Sequence, residues 1–266
     1  MKMLNVKMAL MMALVIGSTA FVSCSNDDEG GSESGGMSSK RIRKMTYEDR
    51  DGIYALTFDY DSQGRIVKRE EIEKSYYSEY SSTTTYTYGE NTIISKTRGD
   101  DNYNYTCTYT LSNGRIIKAI EEEDGYTYTS NYTYNSDGYL VVLQEENDKG
   151  WDMKLEFTWN DGNLMETERN HFTVTSSYSD IAWPQNWIQF LLDDEAGIDI
   201  TLEPLGVWGK MPKKLPSKYV LVSEEENNIC DIDYTIENGV ITKVIQQWDT
   251  KIHGHYDDTI ITIEWE

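Results

Sequence analysis

The chain is short of the residues that usually carry chemistry. Among 266 residues there are three histidines, three cysteines and four prolines. Of His171, His253 and His255, only the pair in His253-Gly254-His255 lies near acids, Asp257 and Asp258. Two adjacent ligands without a placed third do not make a metal site, so these read as turn or surface residues. No Gly-x-Ser-x-Gly elbow, Walker loop, His-Glu-x-x-His or Cys–His arrangement occurs. A carboxylate pair for glycoside hydrolysis cannot be picked out among 46 acids. The expectation is therefore no enzyme, no catalytic residue, no cofactor and no metal. Positive charge is scarce too: 24 Lys and Arg against 46 Asp and Glu leave a net charge of −22, which repels nucleic acid and anionic headgroups.

Long apolar runs are also missing, apart from residues 8–16, which are too few to span a bilayer as a helix. With Lys2 and Lys7 ahead of it, this run has the layout of a secretion signal over residues 1–23. It ends at Ser23-Cys24, which resembles a bacterial lipobox in which Cys24 is lipidated and becomes the mature N-terminus. Residues 24–39 follow as a flexible acidic tether of Ser, Gly, Asp, Glu and Asn, too polar to bury a core. It would span roughly 20 Å. Its Asn26-Asp27-Asp28-Glu29 looks like the export tag of surface-displayed lipoproteins in the phylum Bacteroidota. The expected location is the cell envelope, as an outer-membrane lipoprotein held to lipid through Cys24 and exposed at the surface. Cys107 and Cys230 sit in alternating strand patterns; burial as small hydrophobes is favoured over a disulfide, which the secretory route permits.

What the chain does have is a repeat. Tyr60-Asp61-Ser62-Gln63-Gly64-Arg65-Ile66 returns as Tyr109 to Ile116, Tyr134 to Leu140, Trp159 to Leu164 and Tyr234 to Ile241, with Tyr88 to Ile93 a looser copy. Glycines at 64, 89, 114, 138 and 162 recur every 24 to 25 residues, the mark of a repeated structural unit. Strict alternation surrounds them: Trp151, Met153, Leu155, Phe157 and Trp159 share one face, and Asp152, Lys154, Glu156 and Thr158 the other. Gly after Asn, Asp or Gln closes a hairpin at positive φ, so Asn135-Ser136-Asp137-Gly138 is a turn and not a calcium loop. The fold class is all-β: an antiparallel up-and-down meander of about fifteen strands, curling into a barrel or flattened barrel as one domain over residues 40–266. A membrane pore is disfavoured, because return strands such as residues 65–73 carry charge on both faces, and a Lys or Arg at the bilayer midplane costs about 2–4 kcal/mol. Acid runs at 121–123 and 224–226 read as solvated strand ends.

The repeat breaks once, over residues 176–217. Pro184 with Trp183, Trp187, Ile188 and Leu191 predicts one short amphipathic helix there, packed on the sheet or plugging the barrel end. The motif Tyr-Asp-x-x-Gly-Arg-Ile is similar to the tyrosine–aspartate repeats of Rhs-type and teneurin proteins. The lipobox, the repeated turns, the restart at Lys214-Leu215-Pro216-Ser217-Lys218 and the terminal Ile261-Thr262-Ile263-Glu264-Trp265 together resemble a family of Bacteroidota lipoproteins of unknown function with a porin-like fold. That resemblance implies a barrel-like antiparallel sheet and supplies no catalytic residue. Asp258-Thr259-Ile260 also resembles the O-glycosylation motif of that phylum. Seven Trp and twenty Tyr are the functional clue, since sugars stack on such rings; Trp183, Trp187, Trp208 and Trp248 lie in or near irregular segments, where sites form. The expected function is non-enzymatic binding of glycan or another envelope ligand. The alternative is a structural lipoprotein contacting a partner protein of the outer membrane.

Overall fold

The computed structural model describes residues 40–266 apart from 77, 101–102, 124, 170–171, 185–197, 224–226, 251–253 and 256–257. The expected signal, Cys24 and tether lie outside the described residues, as do His171, His253 and the acid run at 224–226. Eight hairpins follow one another. They are β1 (Ile42–Glu48) with β2 (Gly52–Tyr60), β3 (Ile66–Ser75) with β4 (Glu79–Tyr88), β5 (Thr92–Gly99) with β6 (Asn104–Ser112), and β7 (Arg115–Glu123) with β8 (Tyr126–Tyr134). Then come β9 (Leu140–Asn147) with β10 (Asp152–Asn160), β11 (Asn163–Arg169) with β12 (Phe172–Ala182), and β13 (Lys214–Ser223) with β14 (Asn227–Glu237). In the last, β15 (Val240–Thr250) meets the two-residue β16 (Gly254–His255) and then β17 (Thr259–Trp265). β17 returns to β1, with Met45 opposite Ile263 and Ile42 opposite Trp265. The meander thus closes as an antiparallel barrel of sixteen strands.

The turns follow the repeat. Asn113-Gly114, Asp161-Gly162 and Asn238-Gly239 have positive φ at both positions, the geometry that matches the twist of a two-residue hairpin. Longer turns close on Gly64 and Gly138, where Asp61 Oδ1 accepts from the Arg65 N–H and Asn135 Oδ1 from the Tyr139 N–H. Those oxygens are spent on backbone. Gly89 departs from the pattern: it is not among the positive-φ glycines, and a Cβ there would stand 2.5 Å from Thr92 Oγ1.

The aromatic residue of each repeat has a specific partner. At the end where each hairpin opens, it donates to the first carbonyls of the same hairpin's leading strand. Tyr60 donates to Ile42 O, Tyr88 to Ile66 O, Tyr134 to Ile116 O, Trp159 Nε1 to Leu140 O, Tyr178 to Leu164 O, Tyr234 to Pro216 O and Trp265 Nε1 to Ile241 O, all at 2.5–2.8 Å. Only the β5–β6 hairpin lacks this latch, because Leu111 holds the place. Arg41, Arg65 and Arg115 lie over the latching rings of Tyr60, Tyr88 and Tyr134 at 5.3, 4.4 and 5.5 Å, adding cation–π attraction.

A sixteen-strand barrel can leave a water-filled channel. Here the inward face is filled. Met45, Leu56, Phe58, Ile116, Leu143, Leu155, Val244 and Ile261 are buried in one core cluster. The outward face carries exposed charges on successive strands, among them Glu70, Lys96, Glu122, Glu146, Lys154, Glu156 and Glu168. This polarity is the reverse of a lipid-facing wall. Cys107 and Cys230 are free, buried thiols, pushed up by that burial.

β12 runs to Ala182 and β13 begins at Lys214, so the stretch without strand is 183–213, narrower than the expected break. Its described helical piece is a 3-10 turn, Ile200–Leu205; the amphipathic helix expected from Trp183 onward falls outside the described residues from 185. Ile198, Leu202, Val207 and Trp208 are buried in the core cluster. Trp208 packs between Tyr109 and Tyr132 (6.1 and 5.0 Å) and donates from Nε1 to Asp199 O. Asp199 accepts from the Tyr86 hydroxyl and pairs with Arg69 at 3.5 Å. The insert is a plug, seated by side chains from β3, β4, β6 and β8.

The latches are testable singly. Tyr60→Phe and Tyr234→Phe remove only the hydroxyl and leave a carbonyl without its donor, which should cost about 1 kcal/mol each. Urea denaturation at constant m-value measures this, and Tyr126→Phe, an exposed ring, serves as the unaffected control.

Candidate functional site

An open pocket of about 380 Å³ lies at the plug end. Three segments build it. The β8–β9 turn brings Asn135, Asp137 and Tyr139; the β10–β11 turn brings Trp159, Asp161 and Gly162; and the returning insert brings Lys210 and Lys213. Trp159 is fixed by its latch to Leu140 O, and its ring stacks on Tyr139 with centroids 4.5 Å apart and planes 29° from parallel. Lys210 Nζ stands 5.5 Å from the Tyr139 ring. The Lys213 stem crosses Gly162 so closely that a Cβ there would lie 2.6 Å from its Cε and 2.9 Å from the Tyr139 hydroxyl oxygen. Only glycine leaves that corner open.

Backbone bonds hold the insert to both turns. The Lys210 N–H donates to Gly138 O and the Lys213 N–H to Gly162 O, at 3.0 and 2.9 Å, and Trp183 N–H donates to Lys213 O. Asn163 Oδ1 accepts from Lys213 and Lys214 N–H. The site therefore combines two aromatic faces, two carboxylates, an amide and two ammonium groups on a rigid frame. No Ser, Cys or His lines it. It suits binding.

Of the tryptophans expected to form a site, Trp208 is 1 % exposed and serves the plug. Trp183 is half-buried against the core and touches the pocket's edge only through its backbone bond to Lys213. Trp248 packs on the inner wall opposite Cys230, and Trp187 lies outside the described residues. The structure does not bring Trp183, Trp208 and Trp248 together. The ring that lines the pocket is Trp159, which alternation assigns to the core face. Its place beside Asp161-Gly162 was a signal, because the last ring before a turn sits at the rim.

Residues 58–262 match the family described as a domain of unknown function (DUF4595) with porin-like fold. The chain belongs to this family. Two solved structures of similar shape are described as porin-like proteins of Bacteroides. One, from Bacteroides uniformis, has a TM-score of 0.67 at 17 % identity, covering 85 % of this chain and 98 % of its own. The other, from Bacteroides vulgatus, has a TM-score of 0.54 at 11 % identity with the same coverage. No curated protein matches the chain.

The porin-like barrel has a second polar region, inside its far end. Register turns Glu71 and Glu73 inward with Leu56 and Tyr54, Glu121 and Glu123 with Cys107 and Tyr105, and Glu145 with Ser130. Thus of the run at 121–123 only Glu122 is an exposed outward residue; the solvated reading fails for Glu121 because the pleat points it into the barrel. Ser130 Oγ donates to Glu145 Oε2 at 2.6 Å. Arg69 counters Glu71 at 3.6 Å as well as Asp199. Burial pushes Glu121 up to about 7, helped by the like charges of Glu123, Glu145 and Asp199; burial and then Glu71 raise Glu73. Among the described residues no group of three or more His, Cys, Asp or Glu is placed to hold a metal. Thr259 of the glycosylation-like motif is 1 % exposed and faces inward opposite Gln246, so the folded wall leaves no room for a sugar on it.

Glu121 sets a pH dependence of stability. A folded carboxyl that keeps its proton to about pH 7, against 4.5 when unfolded, imposes a cost that is full above pH 7 and fades as pH falls toward 4.5. The barrel should therefore be more stable at pH 5 than at pH 8. Glu121→Gln should flatten that slope and stabilise the protein at pH 8 by about 3 kcal/mol, read from denaturation midpoints across pH.

Proposed function

We propose that this is a non-catalytic, lipid-anchored binding protein of the cell envelope, displayed at the outer surface, with a glycan as its ligand. The observation that carries the reading is the stacked Trp159–Tyr139 pair beside an open pocket rimmed by Asp137, Asp161, Asn135, Lys210 and Lys213. Ring faces take the C–H side of a pyranose, and the surrounding carboxylates, amide and ammonium groups take its hydroxyls. Such a mixture of apolar walls and a few convergent polar groups is what small-molecule sites are made of. The outward charge of the barrel supports a tethered rather than a membrane-embedded protein.

The position of the pocket supports an envelope ligand. Arg41 and Glu266 exchange backbone hydrogen bonds at the same end where the Tyr60 latch meets Ile42. That is the end of the glycine turns and the plug. A tether from a lipidated Cys24 joins the barrel at its pocket end, with a reach of roughly 20 Å. The site would then face the layer of saccharide nearest the membrane.

Two measurements test the proposal. Cys24→Ser should move the protein from the membrane fraction to the soluble one and abolish lipid labelling. On a glycan array and by calorimetry the purified protein should bind a saccharide, and Tyr139→Ala should weaken that binding about tenfold or more. Binding to no polysaccharide, with tryptophan fluorescence unchanged on addition of each, would overturn the glycan assignment.

A further inference from the structure

We infer that the pocket selects acidic saccharides, in which a pyranose carries a carboxylate. This rests on the glycan reading above and adds the chemistry of the substituent. The inference comes from the two lysines. Lys210 and Lys213 bracket the ring pair, one anchored through its N–H to the β8–β9 turn and the other to the β10–β11 turn. At Gly209 the insert runs so close that a Cβ would stand 2.5 Å from Gly138 O. The Cα positions beneath both ammonium groups are thus fixed by the same turns that supply the rings.

Neither ammonium holds a carboxylate among the described residues, and Lys210 stands over the Tyr139 ring. Lys68, Lys74, Lys149, Lys154, Lys214 and Lys218 each hold a carboxylate within 4 Å, as expected on a chain of net charge −22. Among the described residues Lys210 and Lys213 form no ion pair, although Asp137 and Asp161 line the same pocket. Lys44, Lys96, Lys118 and Lys243 likewise form no ion pair among the described residues; what sets Lys210 and Lys213 apart is that both line one pocket together with a ring pair. An anion is repelled elsewhere and accepted here, where charge-assisted hydrogen bonds are stronger than neutral ones. Asp137 and Asp161 accept hydroxyls and repel a misplaced carboxylate, so they orient the ligand and exclude wrong poses.

The discriminating probes are an oligogalacturonate, a hyaluronan fragment and sialyllactose, each compared by calorimetry with its carboxyl methyl ester and with neutral oligosaccharides, using the full chain. At least one acid should bind about tenfold or more tighter than its ester. Lys210→Gln and Lys213→Gln should each weaken the acid roughly three- to tenfold and leave the ester unchanged, whereas Tyr139→Ala weakens both. Equal binding of acid and ester, binding of neutral saccharides alone, or indifference of the acid to the double lysine variant would overturn the inference and leave the glycan reading standing. Failure of every saccharide, acidic or neutral, would overturn both.

Discussion

The barrel depends on one repeated hydrogen bond, from a rigid aromatic side chain across the open end of its own hairpin. Backbone pairing zips two strands together, but where a hairpin opens, pairing ends and the chain is free to splay. A Tyr hydroxyl or Trp indole N–H placed there spans the gap and fixes the leading strand's first carbonyls. Phenylalanine has the same ring and no donor, and Leu111, in the hairpin without a latch, has neither. Burial raises the hydroxyls of Tyr60, Tyr88, Tyr134 and Tyr178 above their ordinary range, so they stay protonated donors at any physiological pH. The aromatic strand end of one copy is thus bonded to the apolar strand start of the copy before it, as Tyr88 is to Ile66 and Trp159 to Leu140.

The latches also set the polarity of the molecule. They point inward, so the rim of the plug end is made of rings, and the core begins immediately beneath it. The barrel then has the strand path of a porin with the two faces exchanged: apolar residues inside, charges outside. An inward apolar face has to be closed from water at its ends. At the plug end the buried insert does this with Trp208, Val207 and Leu202. At the far end, inward glutamates and Arg69 replace apolar residues. There the cost of burying charge appears as a raised Glu121, and hydrogen bonds from Ser130 and an ion pair with Arg69 offset part of it.

How much of this was legible in the sequence follows from how local each signal is. Alternation in β10 and Asn-Gly turns are local, and both were read correctly. Closure was not decidable, because the pairing of β1 with β17 joins residues more than two hundred positions apart and leaves no local mark. The inward glutamates were missed because β3 and β7 carry charge on both faces, where period two has no contrast to read. Trp208 and Trp159 exchanged roles for a related reason. An irregular segment suggests exposure and a strand suggests burial, yet the insert dives into the barrel while the strand ends at its rim.

The break in the repeat is therefore half of the site. On its own, the insert is a plug whose large side chains are spent on the core. On their own, the β8–β9 and β10–β11 turns are two more copies of a structural unit. The pocket exists because the insert's returning chain is stitched to both turns, at Gly138 and Gly162, and Gly162 leaves a corner that a Cβ would fill. The insert also bonds beside the Gly114 turn, where the Ile116 N–H donates to Val207 O, but among the described residues it forms no backbone hydrogen bond at the turns of Gly64 and Gly239. Repetition supplied a uniform rim, and one non-repeating segment laid across two of its turns brought cations to a ring pair that the fold had already built.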